Sequence, residues 1–274
     1  MDIYRFQPGE TPVLLSIPHG GTHIPAGLAE RMTPAARGIP DTDWHLDRLY
    51  NFAPALGVGF LAANYSRYVV DLNRNPAGTA LYRNADNTEI CPTTTFDREP
   101  VYCEGETPGD DEVADRVETY WRPYHDRLAA ELAALKARFG VAVLFDAHSI
   151  RSHVPRFFDG RLTDFNLGTV DGASASAHLS ARLMNVLSST DRYTCVLDGR
   201  FKGGFITRHH GRPSDGVHAV QLELSQATYM DEAPPYHYRG GAAAEIRPTL
   251  ERFLGALVEW AWDQAGGRHR PAKA

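Results

Sequence analysis

The feature that most constrains the fold is an apolar segment near the middle of the chain, Val141–Ser149, with the sequence VAVLFDAHS. A continuous apolar run of this length is typical of a strand that is covered on both faces in a mostly parallel sheet. In open α/β sheets the ligand crevice lies beyond the carboxyl ends of the strands. Asp146 and His148 are near that end, and residues two apart on a strand share a face. His148 is therefore predicted to lie in a functional crevice, with Asp146 pointing the same way.

Two more apolar segments end in a similar way. Pro12–His19 is an apolar run that delivers His19 into a glycine-rich turn, and Val217–Ser225 alternates before it reaches Glu223. A single histidine at a strand end could simply bond a neighbouring carbonyl group. Because three predicted strands end in His, His and Glu, a shared site is the better interpretation.

The composition indicates a soluble protein that handles a small molecule. Of the 274 residues, 43% are hydrophobic and 23% are charged, as in ordinary globular proteins. The net charge of −6 argues against a nucleic-acid partner, which would call for a basic stripe. No apolar run approaches the roughly 18 residues of a membrane span, and the first residues do not read as a secretory signal. Three irregularly spaced cysteines fit a reducing compartment, so the prediction is a cytoplasmic protein without a membrane partner.

The order of the predicted elements indicates one α/β domain. Helices are predicted at 43–55, 110–139, 173–189 and 242–264, and further short strands at 59–63, 68–72 and 193–197. The helix 110–139 should kink at Pro123, and its aromatic residues are predicted to pack rather than to take part in chemistry. Since it leads directly into the central strand, it suits a parallel-sheet unit. We predict a single three-layer domain over residues 1–274, with a mixed, mostly parallel sheet flanked by helices and a frayed tail at about 266–274.

Three irregular segments are predicted near the strand ends. Residues 75–110 are rich in proline and polar side chains, and a loop of this length is usually functional, so we expect it to wrap over the site. The segments 150–168 and 198–213 are basic within an acidic protein, which indicates an anionic small substrate. For any one arginine, an ordinary pair with a surface carboxylate remains the alternative.

The strand-end residues match a catalytic zinc site. Such a site combines two neutral imidazoles and a carboxylate with an open fourth position. His19 and His148 supply the imidazoles. The carboxylate candidates are Asp43, Asp47 and, more weakly, Asp71, of which Asp43 is preferred.

The neighbouring residues suggest roles around that ion. Glu223 is the expected base for the attacking water, because zinc brings the pKa of bound water near 7. Arg74 or Asn73 is expected to polarise the substrate carbonyl and to hold the developing oxyanion. Asp47 and Asp146 are expected to support the metal ligands from just outside them. The alternative metal-facing histidines left open by the sequence are His23 and His45.

Six segments resemble the N-formylglutamate amidohydrolase family. In chain order they are SIPHGGTHIP (16–25), DTDWHLDRLY (41–50), SRYVVDLNRNP (66–76), FDAHSIRSHVPRFFDG (145–160), GRFKGGFITRHHGRP (199–213) and VQLELSQATYM (220–230). The resemblance covers about Val13 to Tyr236 and implies a fold related to zinc carboxypeptidases, of the phosphorylase/hydrolase-like kind. It also implies His19, Asp43 and His148 as ligands of one zinc ion per chain. Glu223 would then be the base, with Asn73 and Arg74 contacting the substrate.

The reaction that the resemblance implies is hydrolysis of N-formyl-L-glutamate to formate and L-glutamate, in histidine breakdown. The two carboxylates of such a substrate suit arginine recognition, and Arg151 and Arg208 are the favoured cations. A zinc amidase for another N-formyl or N-acyl acidic amino acid is the alternative within enzymes. A non-catalytic binder of an acidic metabolite is the alternative outside them. Whether the chain forms a homo-oligomer stays open.

Overall fold

A mixed seven-stranded sheet organises the protein, which we describe from a computed structural model covering residues 1–79 and 86–266. The strands are β1 (Tyr4–Gln7), β2 (Val13–Ile17), β3 (Gly59–Ala63), β4 (Ala142–Ile150), β5 (Phe165–Gly168), β6 (Cys195–Leu197) and β7 (Val217–Ser225). Their order in the sheet is β1-β3-β2-β4-β7-β5-β6. The strands β3, β2, β4 and β7 run parallel, whereas β1 is antiparallel to β3, and β5 is antiparallel to β7. The predicted mixed, mostly parallel sheet is confirmed.

Helices cover both faces of this sheet. They are α1 (Ala26–Arg31), α2 (Pro34–Arg37), α3 (Leu46–Leu49), α4 (Asp110–Arg116), α5 (Arg122–Phe139), α6 (Ala177–Leu187), α7 (Phe205–His210) and α8 (Gly240–Gln264). Short 3₁₀ turns lie at Ala53–Leu56, Pro213–Asp215 and Gln226–Thr228. A π turn at Val117–Trp121 joins α4 to α5, so the predicted helix 110–139 is irregular just before Pro123. None of the helices in the described part of the chain is both long and apolar enough to cross a lipid bilayer.

The two faces of the sheet belong to two apolar clusters. Val143, Phe145 and Ala147 of β4 pack in the cluster that contains α6 and most of the buried face of α8. Ala142 and Leu144 alternate with them and pack in the other cluster, against α5. This alternation follows from the two-residue period of a strand. The even-numbered residues that come next on β4 point to the α5 side as well, at the carboxyl end of the sheet.

The predicted helix 43–55 is wrong. Only α3 and the 3₁₀ turn at Ala53–Leu56 are helical there, and His45 has a left-handed backbone with a φ of 62°. A left-handed residue cannot continue a right-handed helix. Asp43 and Asp47 therefore do not share a helix face.

The predicted strand at 68–72 is also wrong. The chain turns here instead, because the backbone N–H of Val69 donates to the carbonyl of Ser66, and that of Asp71 donates to Ile90. Strands β1 and β5 and helix α7 were not predicted. Residues 80–85 of the predicted loop and 267–274 of the predicted frayed tail lie outside the described residues.

Candidate active site

A cavity opens at the carboxyl ends of β4 and β7. It lies on the same face of the sheet as α5, which covers the amino-terminal halves of these two strands. The polar and charged residues in its lining include His19, Asp43, Arg67, Asn73, Arg74, Asp86, His148, Arg200, Gln221 and Glu223. Asp86, Asn87 and Phe96 belong to the segment 75–110, where a wall of the site was expected. The cavity lies at the sheet edge where α/β proteins generally bind their ligands.

In the lining of the cavity, His19, Asp43 and His148 form a buried group that could hold a metal ion. One ligand atom from each lies within 4.8 Å of the other two. Oδ2 of Asp43 lies 3.0 Å from Nδ1 of His148 and 3.8 Å from Nδ1 of His19. The three residues are 2–3% exposed. The structure thus brings together the three residues that the sequence suggested as metal ligands.

Local backbone contacts hold this group in place. The N–H of Asp43 donates to the carbonyl of His19, and the N–H of Ser149 donates to the Asp43 carboxylate. Gly21, just after His19, lies against another segment of chain, and a Cβ there would stand 2.2 Å from the carbonyl oxygen of Tyr65. The glycine turn that follows β2 is therefore required by close packing of two backbones.

Each histidine has a second carboxylate on its other ring nitrogen. Nε2 of His19 lies 2.7 Å from Oδ1 of Asp71, and Nε2 of His148 lies 3.1 Å from Oδ2 of Asp146. Metal-binding histidines commonly have such a carboxylate partner, which fixes the ring orientation and makes the free nitrogen a better ligand. Asp146 was expected in this role. Asp71 was considered as a weaker ligand candidate, and its place is behind His19 instead.

Asp146 is itself held by hydroxyl groups. Its two carboxylate oxygens accept hydrogen bonds from Ser16 at 3.2 Å and from Thr207 at 3.4 Å. The hydroxyl of Tyr124 lies 3.0 Å from that of Ser16, which links the first turns of α5 to the site. Desolvation lowers the pKa of His148, but Asp146 and Asp43 outweigh it and hold that pKa well above its usual value.

Asp71 is paired with a buried arginine that the sequence did not identify. The guanidinium of Arg67 donates to Oδ2 of Asp71 at 2.6 Å and lies over the ring of Phe96. Burial by itself would raise the pKa of Asp71, but Arg67 and then His19 outweigh it and bring that pKa well below normal. Burial, helped by Arg67, lowers the pKa of His19. This neighbourhood therefore favours a neutral His19.

Glu223 faces the same cavity from the adjacent strand. It is paired in register with His148, and its Oε2 accepts a hydrogen bond of 3.1 Å from Gln221. Burial raises the pKa of Glu223 to about 8, although the nearby His148 acts against the rise. Gln221 also accepts a hydrogen bond from the backbone of Gly204. The sequence could have indicated Gln221, because it precedes Glu223 by two residues and so shares its face.

The loop residues Asn73 and Arg74 were predicted to contact substrate, and both line the cavity. The amide nitrogen of Asn73 lies 3.0 Å from Nε2 of His148, and its oxygen accepts from the backbone of Ile206. Gly204 allows this contact, since a Cβ there would lie 2.2 Å from the Asn73 amide. Arg74 donates to the carbonyl and the hydroxyl of Thr88.

Some of the predicted residues lie away from the cavity lining. Asp47 is on the surface and pairs with Arg5 at 3.2 Å, because the helix that was to align it with Asp43 does not form. Arg151 pairs with Asp97, and Arg208 donates to the carbonyl of Gly203. Neither Arg151 nor Arg208 is among the cavity-lining residues of the described chain, where Arg67 and Arg200 are found. The alternative histidines are engaged elsewhere, since His23 packs on Tyr65 and His45 contacts the carbonyl of Tyr236.

Fold and site together define an α/β enzyme in which a buried His-Asp-His group and a glutamate share one cavity at the strand ends. A protein-family model described as N-formylglutamate amidohydrolase matches residues 11–230. The chain therefore belongs to the N-formylglutamate amidohydrolase family, and it is an amidohydrolase. The family prediction made from the six sequence segments is confirmed.

Two similar proteins are named N-formylglutamate deformylase. One, from Pseudomonas aeruginosa, is 51% identical over 259 residues, which cover 94% of this chain and 97% of that protein. The other, from Pseudomonas putida, is 47% identical over 258 residues, which cover 94% of this chain and 96% of that protein.

Solved structures show the same architecture. The crystal structure of N-formylglutamate amidohydrolase from Ralstonia eutropha JMP134 has a TM-score of 0.81 and 25% identity, and covers 96% of this chain and 100% of that one. A gene product from Agrobacterium tumefaciens has a TM-score of 0.71 and 17% identity over 94% of this chain and 96% of its own, which supports the fold alone.

Proposed function

We propose that the protein is a zinc-dependent enzyme that hydrolyses N-formyl-L-glutamate to formate and L-glutamate. The two relatives named N-formylglutamate deformylase support the substrate. The observation that carries the mechanism is the buried group of His19, Asp43 and His148 beside the carboxylate of Glu223. In the cell, the proposal assigns this reaction to the cytoplasm and to the end of histidine breakdown. The three cysteines are all free, in keeping with a reducing compartment.

The donor set fits zinc. Two imidazole nitrogens and one carboxylate oxygen, with an open position toward a cavity, are the ligands of catalytic zinc sites. The pair of carboxylates behind the rings, Asp71 and Asp146, supports the same interpretation because each would keep its histidine turned toward the ion. When bound there, zinc would supply Lewis-acid chemistry, by which such ions activate water and polarise carbonyl groups.

Glu223 is the proposed proton carrier. Its hydrogen bond from Gln221 fixes the carboxylate in the cavity next to the strand that carries His148. In the proposal Glu223 takes a proton from the attacking water and delivers it to the nitrogen atom of the departing glutamate. A carboxylate held within reach of both atoms typically contributes about 10²–10⁴-fold to such a reaction.

The cations of the cavity suit a substrate with two carboxylates. Arg74 and Arg200 both line the cavity, and they come from separate loops. Arg67 also lines the cavity, where it is buried and pairs with Asp71 at 2.6 Å, and Arg74 lies 3.9 Å from the same carboxylate oxygen. We therefore replace Arg151 and Arg208 by Arg200 as the proposed contact for a substrate carboxylate, and keep Arg74. The formyl end is small and needs no side-chain pocket, so it suits the part of the lining formed by His19, Asp43 and His148, which are 2–3% exposed.

The test is release of the free amino acid from a panel of purified substrates, with and without a chelator, because an N-acetyl substrate yields acetate and not formate. N-formyl-L-glutamate should be hydrolysed with the highest kcat/KM among N-formyl-L-glutamate, N-formyl-L-aspartate, N-formyl-L-glutamine and N-acetyl-L-glutamate. Chelation should abolish the activity, and added zinc should restore it. Full activity after exhaustive chelation would end the zinc proposal. A higher kcat/KM for N-formyl-L-aspartate or N-acetyl-L-glutamate would mean that this compound, and not N-formyl-L-glutamate, is the preferred substrate. Accumulation of N-formylglutamate in histidine-fed cells that lack the enzyme tests the pathway.

A further inference from the structure

The loop from Asp71 to Arg74 carries much of the support for the site but forms neither helix nor strand. Asp71 contacts His19, and Asn73 contacts His148. Side chains in an irregular segment keep one geometry only if the backbone is held by other contacts. The backbone of this loop must therefore be held by groups from other parts of the chain.

Two aromatic side chains, one from the end of the π turn and one from the first turn of α5, bond the loop on either side of Asn73. The indole Nε1–H of Trp121 donates to the carbonyl of Arg74 at 3.1 Å. Nε2 of His125 donates to the carbonyl of Leu72 at 2.8 Å. The carbonyls that precede and follow Asn73 are thus both occupied by donors from one helical segment.

The two donors form a single rigid unit. Their rings are stacked, with centroids 3.7 Å apart and planes at 19°, as residues four apart on a helix can be. Trp121 is 8% exposed and His125 is 5% exposed. Burial lowers the pKa of His125 to about 3, so the ring is neutral. Because the Leu72 carbonyl can only accept, the single N–H of the ring is the one on Nε2. Trp121 is the last residue of the π turn, a feature that often occurs at functional sites.

We propose that Trp121 and His125 are a positioning pair, which holds the carbonyls of Leu72 and Arg74. Through them the pair fixes Asp71 on Nε2 of His19 and keeps Asn73 beside the imidazole of His148. The pair touches neither substrate nor metal ligand. This inference rests on the proposed metal-dependent function, because the orientation of the two imidazoles matters most when they bind an ion.

The alternative is that both rings simply fill the apolar cluster under α5. Variants that separate the N–H donor from the ring distinguish these two roles. His125→Phe keeps a stacked ring and removes the donor, whereas His125→Gln removes the ring and keeps an N–H group at a similar reach. Trp121→Phe also keeps a ring and removes a donor. Trp262→Phe is the matched control, since Trp262 is a buried tryptophan of the same cluster that packs on Phe139 at the far end of α5.

The experiment measures three quantities on each purified protein. They are the zinc dissociation constant of the apo-protein by competition with a chromophoric chelator, the Tm of the apo-protein, and kcat and KM for formate release. Loss of a group that orients a metal ligand commonly weakens metal binding 10- to 100-fold. Trp121 and His125 act on the backbone behind such an orienting group, so we expect an effect at the lower end of this range. Zinc binding should be about tenfold weaker in His125→Phe and Trp121→Phe, and kcat should fall by a similar factor. KM should change less than about twofold.

The pattern across variants decides the proposal. His125→Gln should bind zinc within about threefold of the wild type even if its Tm falls, and Trp262→Phe should lower Tm without changing zinc affinity. The proposal would be overturned if His125→Phe bound zinc as tightly as the wild type. It would also be overturned if His125→Phe and His125→Gln lost zinc affinity to the same extent. If His125→Phe does not fold, Trp121→Phe against Trp262→Phe decides.

Failure of the proposed function has a different signature. If the wild type binds no zinc and keeps its activity with a chelator, the metal proposal fails before any variant is compared. The positioning pair is then judged on the kcat of formate release alone. His125→Phe must lower that kcat and His125→Gln must restore it.

Discussion

Two ends of one sheet face differ completely in chemistry although they share strands and burial. The apolar end comprises Ala142, Leu144, Val217 and Ala219. The polar end comprises Asp146, His148, Gln221 and Glu223. All eight side chains belong to β4 or β7, and none is more than 7% exposed. The apolar end lies under α5, whereas the polar end lies under loops and a cavity.

The difference separates stability from chemistry. Removing apolar surface from water stabilises the fold by roughly 25 cal/mol per Å². A buried polar group costs free energy unless it is fully hydrogen-bonded, and a buried charge costs more. The polar end meets this requirement through partners such as Ser16 and Thr207 on Asp146. Substitutions at the polar end should therefore reduce turnover, and those at the apolar end should reduce stability.

The largest effect is expected for His148→Ala. This change removes a candidate metal ligand and leaves Asp146 and Asp43 without the imidazole between them. Zinc binding should be lost, and kcat/KM should fall by about 10⁴-fold or more, since both the ion and its activation of water are removed. Elemental analysis and formate release provide the measurements. A variant that keeps one zinc per chain would remove His148 from the ligand set.

Glu223→Gln comes next. The amide has nearly the same shape and can still contact Gln221, but it cannot accept a proton from water. We expect kcat to fall by about 10²–10⁴-fold, with zinc content and KM nearly unchanged. Tm should not fall, because a buried carboxylate has been replaced by a neutral group. A near-normal kcat would assign Glu223 a structural role. It would also weaken the contrast in which the polar end determines turnover and the apolar end determines stability.

Leu144→Ala tests the apolar end. Leu144 is fully buried between β4 and α5, and truncation of such a leucine typically costs about 2–5 kcal/mol of unfolding free energy. Urea denaturation of the apo-protein measures this loss. The kcat of the folded protein should stay within about twofold of the wild type, since Leu144 is not among the residues that line the cavity in the described part of the chain. A large drop in kcat together with intact folding would show that the two ends are coupled.

The same contrast explains which parts of the fold were predictable from sequence. Strands β2, β4 and β7 are long or strongly apolar, so local pattern and burial agree, and α5 and α8 have a clear helical period. Strand β5 has the sequence FNLG, which carries little strand preference and depends on its pairing with β7. Helix α7 has only six residues, too few to establish a period. The residues of β1 alternate between partly buried and exposed positions, and its sequence YRFQ shows the matching alternation of aromatic and polar residues. No strand was predicted there although this pattern is visible in the sequence.

The site was predictable where it follows from strand ends. His19, His148 and Glu223 end apolar strands, and Asp146 shares the face of His148. Arg67 and Arg200 lie in irregular segments, where position depends on contacts distant in sequence. Asp47 was misplaced because the left-handed backbone of His45 separates Asp43 from the short helix that carries Asp47. Only the three-dimensional structure distinguishes a cavity arginine from a surface one.

Arg200→Ala probes the loops above the polar end. Loss of one charge-assisted hydrogen bond to a substrate carboxylate should raise KM about tenfold and change kcat less than about threefold. Arg212→Ala is the matched control, because Arg212 lies in the same basic segment but is exposed and pairs with Asp215. Its KM should match the wild type. Equal KM values in both variants would exclude Arg200 as a substrate contact and return attention to Arg74.

The smallest effect is expected for Glu259→Gln, a charge far from either end of this sheet face. Glu259 pairs with Arg182 at 2.6 Å between α8 and α6, with about half of its side chain in solvent. Exposed pairs contribute about 0–1 kcal/mol, and Arg182 keeps a second partner in Asp263. Urea denaturation should show a loss below about 0.5 kcal/mol that vanishes at high salt, with kcat and KM unchanged. A loss of unfolding free energy above about 1.5 kcal/mol would mean that ion pairs on the opposite face of the sheet contribute as much stability as apolar side chains of the apolar end. Burial of apolar surface alone would then not explain the stability of this fold.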